Sequence, residues 1–367
     1  MSKFGVTVER LDTIEPHENA DRLEMATLTG RDYSFVVGKG QFQAGDTVIY
    51  FPIDSLLPMP IVDKLGLTGK LAHGNIPDDN SERLRNRIKT AKLRGNISQG
   101  IVSGLTDLAD LYPAIDFASL QIGDDITQQL GVSKYEPPIL PMRHGSLARL
   151  PELVSVYDIE SAQNYRDITD EYLMNAPVYI TEKVEGSNWW ATIDATGMIR
   201  VGQRNYEIID VVDYQHDWYK VLQSQELEDK LRQLWDILAK SNDKLQLVTL
   251  RGEMTGPGVQ GNYYQLKDYK MWAFDIEVDG KPIDATQFLE ITEQLAIEIV
   301  PTLAVDIILR DWLHGRTIKD ASDGQSKIHT VKREGIVIKP MTEQMDMRLG
   351  RVFIKQHSLA YLAKSKL

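Results

Sequence analysis

The chain contains no cysteine among its 367 residues. Disulfides, zinc–thiolate sites and cysteine nucleophiles are therefore excluded. Its seven histidines form no His-x-x-x-His pair, which argues against a histidine-built metal site. No apolar run approaches bilayer-spanning length, and the opening MSKFGVTVERLD has no apolar signal core. These absences predict a non-membrane protein of a reducing compartment, placed in the cytoplasm. Positive charge is also scarce: 41 Lys and Arg face 53 Asp and Glu, a net charge of −12. A nucleic-acid partner would then require locally gathered cations. Residues 83–94, RLRNRIKTAKLR, gather Arg83, Arg85, Arg87, Lys89, Lys92 and Arg94 without one acid. Alone, the run reads equally as a solvated face or as a phosphate-tracking surface.

What is present is globular. Hydrophobic residues make up 42% and charged residues 26%, and the length favours two domains. Residues 1–130 read as short strands broken by turns, as in Tyr33–Gly38 and Asp46–Ile53, a rhythm that fits a small β-barrel. Residues 131–151 are proline-rich and aperiodic, and are read as a linker. Residues 152–367 mix β runs with helical spacing. Trp189–Asp194 and Met198–Gln203 flank a turn at Ala195-Thr196-Gly197. Leu227, Leu231, Leu234, Trp235 and Leu238 recur at helical spacing, a core pattern. Asp279-Gly280 signals a tight turn. The expected class is α+β with antiparallel sheets.

The chemistry concentrates in an ordered set of segments. Thr181-Glu182-Lys183-Val184-Glu185-Gly186-Ser187-Asn188 ends an apolar strand. Alone it reads more readily as a charged turn than as a site. Arg204-Asn205 follows, then Arg251-Gly252-Glu253-Met254-Thr255-Gly256, Trp272-Ala273-Phe274-Asp275, Glu334-Gly335-Ile336-Val337-Ile338-Lys339 and Phe353-Ile354-Lys355. Gly256–Gly261 also matches the glycine pattern of dinucleotide folds. No helix start follows it, so that reading is discarded.

In order and spacing, the set resembles the covalent nucleotidyltransferases, the superfamily of polynucleotide ligases and mRNA capping enzymes. E-K-x-x-G-S-N and G-E-x-x-G-x-G-x-Q are closest to RNA-repair ligases. Pro16–Glu24, Val36-Val37-Gly38 and Lys92–Gly100 resemble OB-like tRNA-binding modules, and more closely the N-terminal module of Deinococcus- and Naegleria-type RNA ligases. Twelve residues follow Lys355, too few for the C-terminal domain that DNA ligases and phage-type RNA ligases carry. The resemblance implies an OB-like barrel followed by a ligase/capping-enzyme-type domain. It implies an ATP-dependent RNA ligase that joins a 3′-hydroxyl to a 5′-phosphate, at nicks in RNA-containing duplexes, through AMP carried on Lys183.

It also implies roles. Lys339, Lys355 and magnesium or manganese would lower the pKa of Lys183 and offset charge on the α-phosphate. Glu185 and Glu334 would hold the metal, partly through water. Glu182 would lie near the adenine amino group, Phe274 would stack on the base, and Glu253 and Arg204 would contact ribose and phosphate. Asn188 would orient the 3′-terminal nucleotide. The basic run, now inside a nucleic-acid module, reads as RNA-binding. Three departures stand out. Glu185 occupies a position often held by Asp, His357 one often held by lysine, and Ser161 one held by an arginine. A guanylyltransferase and an RNA-binding protein with an inactive catalytic domain are the alternatives.

Overall fold

A computed structural model of the chain describes residues 4–74, 84–135 and 145–364. The fold is mixed α/β, mostly sheet, and its long strand pairs are antiparallel. Contacts divide the chain into two compact units. One holds residues 2–140 with the short segment 163–166 and the residues after 361; the other holds 141–162 and 167–361.

In the first unit a five-stranded sheet runs in the order Ile101–Gly104, Thr47–Phe51, Thr7–Pro16, Leu23–Leu28 and Arg31–Gly38. Thr47–Phe51 shows why the sheet curls around its own core. Val48 and Tyr50 face one apolar cluster with Leu11, Phe35 and Val102, while Ile49 and Phe51 face another with Ile61, Leu108 and Leu130. A strand buried on both faces must be wrapped on both faces. Pro52, which has no N–H for the ladder, follows its last residue.

In the second unit a seven-stranded sheet runs Ser146–Ala148, Tyr206–Ile209, Ile199–Gln203, Ser187–Asp194, Leu247–Thr255, Lys270–Val278 and Lys281–Pro282. Its apolar face carries Trp189, Ala191, Leu250, Met254 and Met271. These pack on the helices Asp217–Ser224, Leu227–Ala239 and Ala285–Gln294. Leu227, Leu231, Leu234 and Leu238 are the buried stripe of the middle helix, as their spacing predicts. Asp279 and Gly280 both take positive φ, 50° and 76°, the backbone of a type I′ turn. A five-stranded sheet runs Glu160–Ser161, Ile354–His357, Gly335–Pro340, Pro177–Lys183 and Thr302–Ile308. Only its Glu160–Ser161 edge is parallel to its neighbour. Turns, not a helix, follow Gly256–Gly261.

The stretch read as a linker is tied into sheets near both ends. Ser133–Lys134 pairs with Ser55–Leu56, and Ser146–Ala148 pairs with Tyr206–Ile209. Prolines thin the hydrogen bonding of a segment, yet they leave the flanking residues free to add short edge strands.

Candidate active site

Lys183 ends a strand whose register sets it opposite Gly335, the residue after Glu334. Its ammonium donates to Glu334 Oε1 at 2.7 Å. Ser187–Asp194 leaves the same turn and runs beside Leu247–Thr255, with Asn188 opposite Glu253. Directly opposed residues of an antiparallel pair point to one face, so Asn188 and Glu253 share a side. Two motif glycines permit this approach. A Cβ on Gly186 would stand 2.4 Å from the Met254 carbonyl oxygen, and one on Gly335 would stand 2.1 Å from that of Gln356. Both clash with backbone, which cannot swing aside.

Acidic side chains crowd the site and repel one another. Burial raises the Glu253 carboxyl, as do Glu334 and Glu185, and Lys183 only partly offsets them; it stands at about 8. Burial and the Glu334 charge likewise push Glu185 up to about 7. Burial also opposes ionisation of Glu334, but Lys183 outweighs it and holds this carboxyl well below its usual range. Lys183 itself is lowered by burial and raised by Glu334, Glu253 and Glu185, and the rise wins. In the chain without nucleotide or metal, acidic neighbours thus outweigh burial and the nearby cation at Lys183. That cation is Lys355, whose pKa falls to about 8 through burial and the repulsion of Lys183.

Three buried oxygens in this region have no hydrogen-bond partner among the described residues: Glu334 Oε2, Glu182 Oε1 and Asn188 Oδ1. Orphaned buried acceptors signal a missing donor or ion. Glu185 and Glu334 fit a hard divalent cation by donor type. No group of three His, Cys, Asp or Glu side chains forms a ready-made metal cage among the described residues. A metal held here would complete its shell with water or phosphate oxygens.

The remaining expected residues differ in their partners. Lys339 stands opposite Tyr179, four residues and about 13 Å along the strand from Lys183. Its ammonium bonds the Phe274 carbonyl at 3.2 Å and Asp275 at 3.4 Å, under the rings of Phe288 and Tyr179. The structure does not bring it to Lys183. Phe274 packs on Tyr157, with ring centroids 4.9 Å apart. Arg204 pairs with Asp158 at 2.9 Å. His357 Nε2 lies 3.4 Å from Glu334 Oε1, and Ser161 is the register partner of Lys355.

The basic run is divided between two elements. Arg83 lies outside the described residues. Arg85–Arg87 is a short strand, while Lys92 and Arg94 ride the hairpin of Ala91–Leu93 and Asn96–Ser98. Arg85, Lys92 and Arg94 are exposed. Arg87 is occupied: it pairs with Asp54 at 2.6 Å and stacks 3.5 Å over the Tyr135 ring.

Sequence reasoning missed four contributors. The Tyr361 hydroxyl donates to Glu185, and Tyr361 packs edge-on against Tyr263. Tyr157 and Arg351 both bond Asp275. The Lys327 amide donates to Glu182 at 2.9 Å. Each contact spans 76 or more residues of chain, and no local pattern marks it.

Comparison with known proteins agrees with this geometry. The RNA ligase family matches residues 176–357, from the Lys183 strand through His357. An OB-fold domain family matches residues 5–105. The chain carries an OB-fold domain and an RNA ligase domain. It is similar over its whole length to the Naegleria gruberi RNA ligase. The structure of that enzyme with pyrophosphate is 27% identical, covers 99% of each chain and has a TM-score of 0.78. A lysine-to-methionine variant with AMP and manganese is 26% identical, covers 98% of each chain and also scores 0.78. A glutamate-to-alanine variant with ATP and manganese is 27% identical, covers 100% of each chain and scores 0.77. No curated protein matches the chain by sequence. The RNA ligase domain is thus an enzyme domain of ligase type, and RNA is the substrate class its family name states. No helix among the described residues is long and apolar enough to cross a membrane.

Proposed function

We propose that the chain seals RNA by carrying AMP on Lys183, taken from ATP. The observation that carries this reading is the Lys183–Glu334 contact at 2.7 Å among acidic side chains, with Glu334 Oε2 left without a partner among the described residues. In the first step Lys183 Nζ attacks the α-phosphorus. A P–N bond forms, the bond from the α-phosphorus to the bridging oxygen breaks, and pyrophosphate leaves with the electron pair. AMP then passes to an RNA 5′-phosphate, and the 3′-hydroxyl of the neighbouring strand displaces it to join the nick.

The lysine must lose a proton first, and in the free site its carboxylate neighbours oppose that loss. Glu185 and Glu334 would hold magnesium or manganese, which supplies positive charge to the phosphates and relieves this bias. Lys355, beside Lys183, is suited to the α-phosphate. Glu253 and Arg204 would meet the ribose and its phosphate, Phe274 the base, and Asn188 the 3′-terminal nucleotide. Lys339 works from behind, fixing the Phe274 backbone and Asp275. The N-terminal domain would carry the RNA, with Arg85, Lys92 and Arg94 as its free phosphate contacts. The reading assigns the enzyme to RNA in the cytoplasm, acting at nicks in duplexes.

The test is incubation with α-labelled ATP and manganese, a denaturing gel and peptide mapping. Label on Lys183, with sealing of a nicked RNA duplex, supports the reading; label from GTP alone, or on another residue, sinks it. Asn188→Ala should still take label and adenylate the 5′ end, yet join at least tenfold more slowly.

A further inference from the structure

Glu185 and Glu334 come from different elements. Glu334 leads into the strand Gly335–Pro340, while Glu185 lies in the turn between Pro177–Lys183 and Ser187–Asp194, outside both ladders. Tyrosines hold that turn. The buried Tyr264 hydroxyl accepts the Glu185 N–H at 2.8 Å. The Tyr361 hydroxyl donates to Glu185 Oε2. Tyr263 stands edge-on to both, its ring centroid 5.2 Å from that of Tyr264 and 5.7 Å from that of Tyr361. Its own hydroxyl donates to the Lys332 carbonyl at 2.5 Å, on the segment that enters Glu334. Tyr361 is itself fixed. The Ser358 N–H donates to the Glu334 carbonyl at 2.8 Å. Ser358 Oγ caps the helix Leu359–Lys364 by accepting the Tyr361 N–H at 3.2 Å. Asp323 Oδ1 accepts both the Ser358 hydroxyl and the Ala360 N–H. The start of this helix is thus bonded to Glu334 through backbone and to Glu185 through Tyr361.

We propose that Tyr361 is a positioning residue for a divalent-cation site: from its anchored helix the hydroxyl holds the Glu185 carboxylate in one orientation beside Glu334. The inference rests on the reading of Glu185 and Glu334 as metal ligands in AMP transfer. A glutamate on a turn has free side-chain torsions, and ordering them on binding costs conformational entropy. A phenol on a fixed backbone removes much of that cost beforehand. It is also an economical donor. A single O–H engages one lone pair of a carboxylate that has about four acceptor sites, and the rest stay available to an ion or its water. Hydrogen bonds that orient a metal's ligands are worth roughly 10–100-fold in metal affinity.

The experiment measures equilibrium binding of manganese to the full chain at saturating AMP, by electron paramagnetic resonance of the free ion. The chains are the parent, Tyr361→Phe, Glu185→Asp and the double variant. AMP transfer from ATP is followed in parallel across manganese concentrations. Tyr361→Phe keeps the ring against Tyr263 and loses only the hydroxyl. It should weaken manganese binding about tenfold. The manganese needed for half-maximal AMP transfer should rise by the same factor, with a smaller change in the rate at saturating manganese. In Glu185→Asp the carboxylate is one methylene shorter and falls short of the hydroxyl. In that background Tyr361→Phe should change manganese affinity by less than about twofold. A folded Tyr361→Phe chain with the parent's manganese affinity overturns the inference. So does an equal loss in both backgrounds, the mark of a merely structural role, and so does a parent chain that binds no manganese. The expected coupling in a chain that never transfers AMP to Lys183 would support the inference while overturning the ligase reading.

Discussion

Lys183 and Lys339 stand on neighbouring strands of one sheet, each beside a carboxylate, but the carboxylates differ in what else they hold. Glu334 meets Lys183 and, at 3.4 Å, His357, and keeps one buried oxygen unpartnered. Glu253 and Glu185 crowd the same lysine, and burial and mutual repulsion raise both carboxyls. Asp275, by contrast, is shared among Lys339, Arg351 and the Tyr157 hydroxyl, and Glu343 takes the rest of Arg351. Lys355 and Lys339 are both lowered by burial, yet only Lys355 is also repelled by Lys183. An ion cluster closed on itself locks backbone in place. One left with spare acceptors is open to a ligand. Membership of a motif does not tell the two apart; the partners do.

The strongest test of this contrast is a paired substitution. Lys183→Met should abolish AMP labelling outright, measured on a denaturing gel. Lys339→Met should instead cost about 2 kcal/mol of unfolding free energy, because it removes a buried partner of Asp275. Chemical denaturation measures that loss. A Lys339→Met chain of parental stability with no labelling would break the comparison and return Lys339 to the phosphate. Glu334→Ala comes next, with a labelling rate lower by at least about 100-fold, since it removes both the lysine's partner and a proposed metal ligand.

A smaller effect separates free from occupied cations in the N-terminal domain. Neutralising Lys92 and Arg94 together should lower the slope of log affinity against log salt by roughly 1.4–1.8 for nicked RNA. Labelling should stay near normal. Arg87→Ala should disturb stability more than salt dependence, because Asp54 and Tyr135 already hold that side chain. An undiminished slope in the Lys92/Arg94 variant would mark the hairpin as a solvated face.

The smallest effect concerns the Glu253 carboxyl. The Glu253 carboxyl stands at about 8 in the fold against 4.5 ordinarily, so the folded chain binds the extra proton between these values. Its contribution to stability is full below pH 4.5 and is lost as pH rises to about 8. Glu253→Gln cannot lose it. The variant's melting temperature should therefore gain on the parent's across that window, by roughly 2 °C at pH 9. A constant difference between pH 5 and pH 9 would show that Glu253 is not under this strain.

Local chemistry is where the sequence sufficed. The stripe Leu227, Leu231, Leu234 and Leu238 carries its own period, and Asp279-Gly280 carries its own turn, because both depend on residues within a few positions of each other. The ordered motifs likewise marked Lys183 and Glu334, whose glycine neighbours are small because backbone must pass close by. What tertiary structure alone decided is which charges meet. Lys339 lies with Asp275, Tyr361 with Glu185, Arg87 with Tyr135, and Glu182 under the Lys327 amide. Register and sheet packing across 48 to 176 residues make these pairs, and a side chain's charge state follows from its partners. No spacing along the chain encodes that three acidic side chains surround Lys183, one of them with a buried oxygen unpartnered among the described residues.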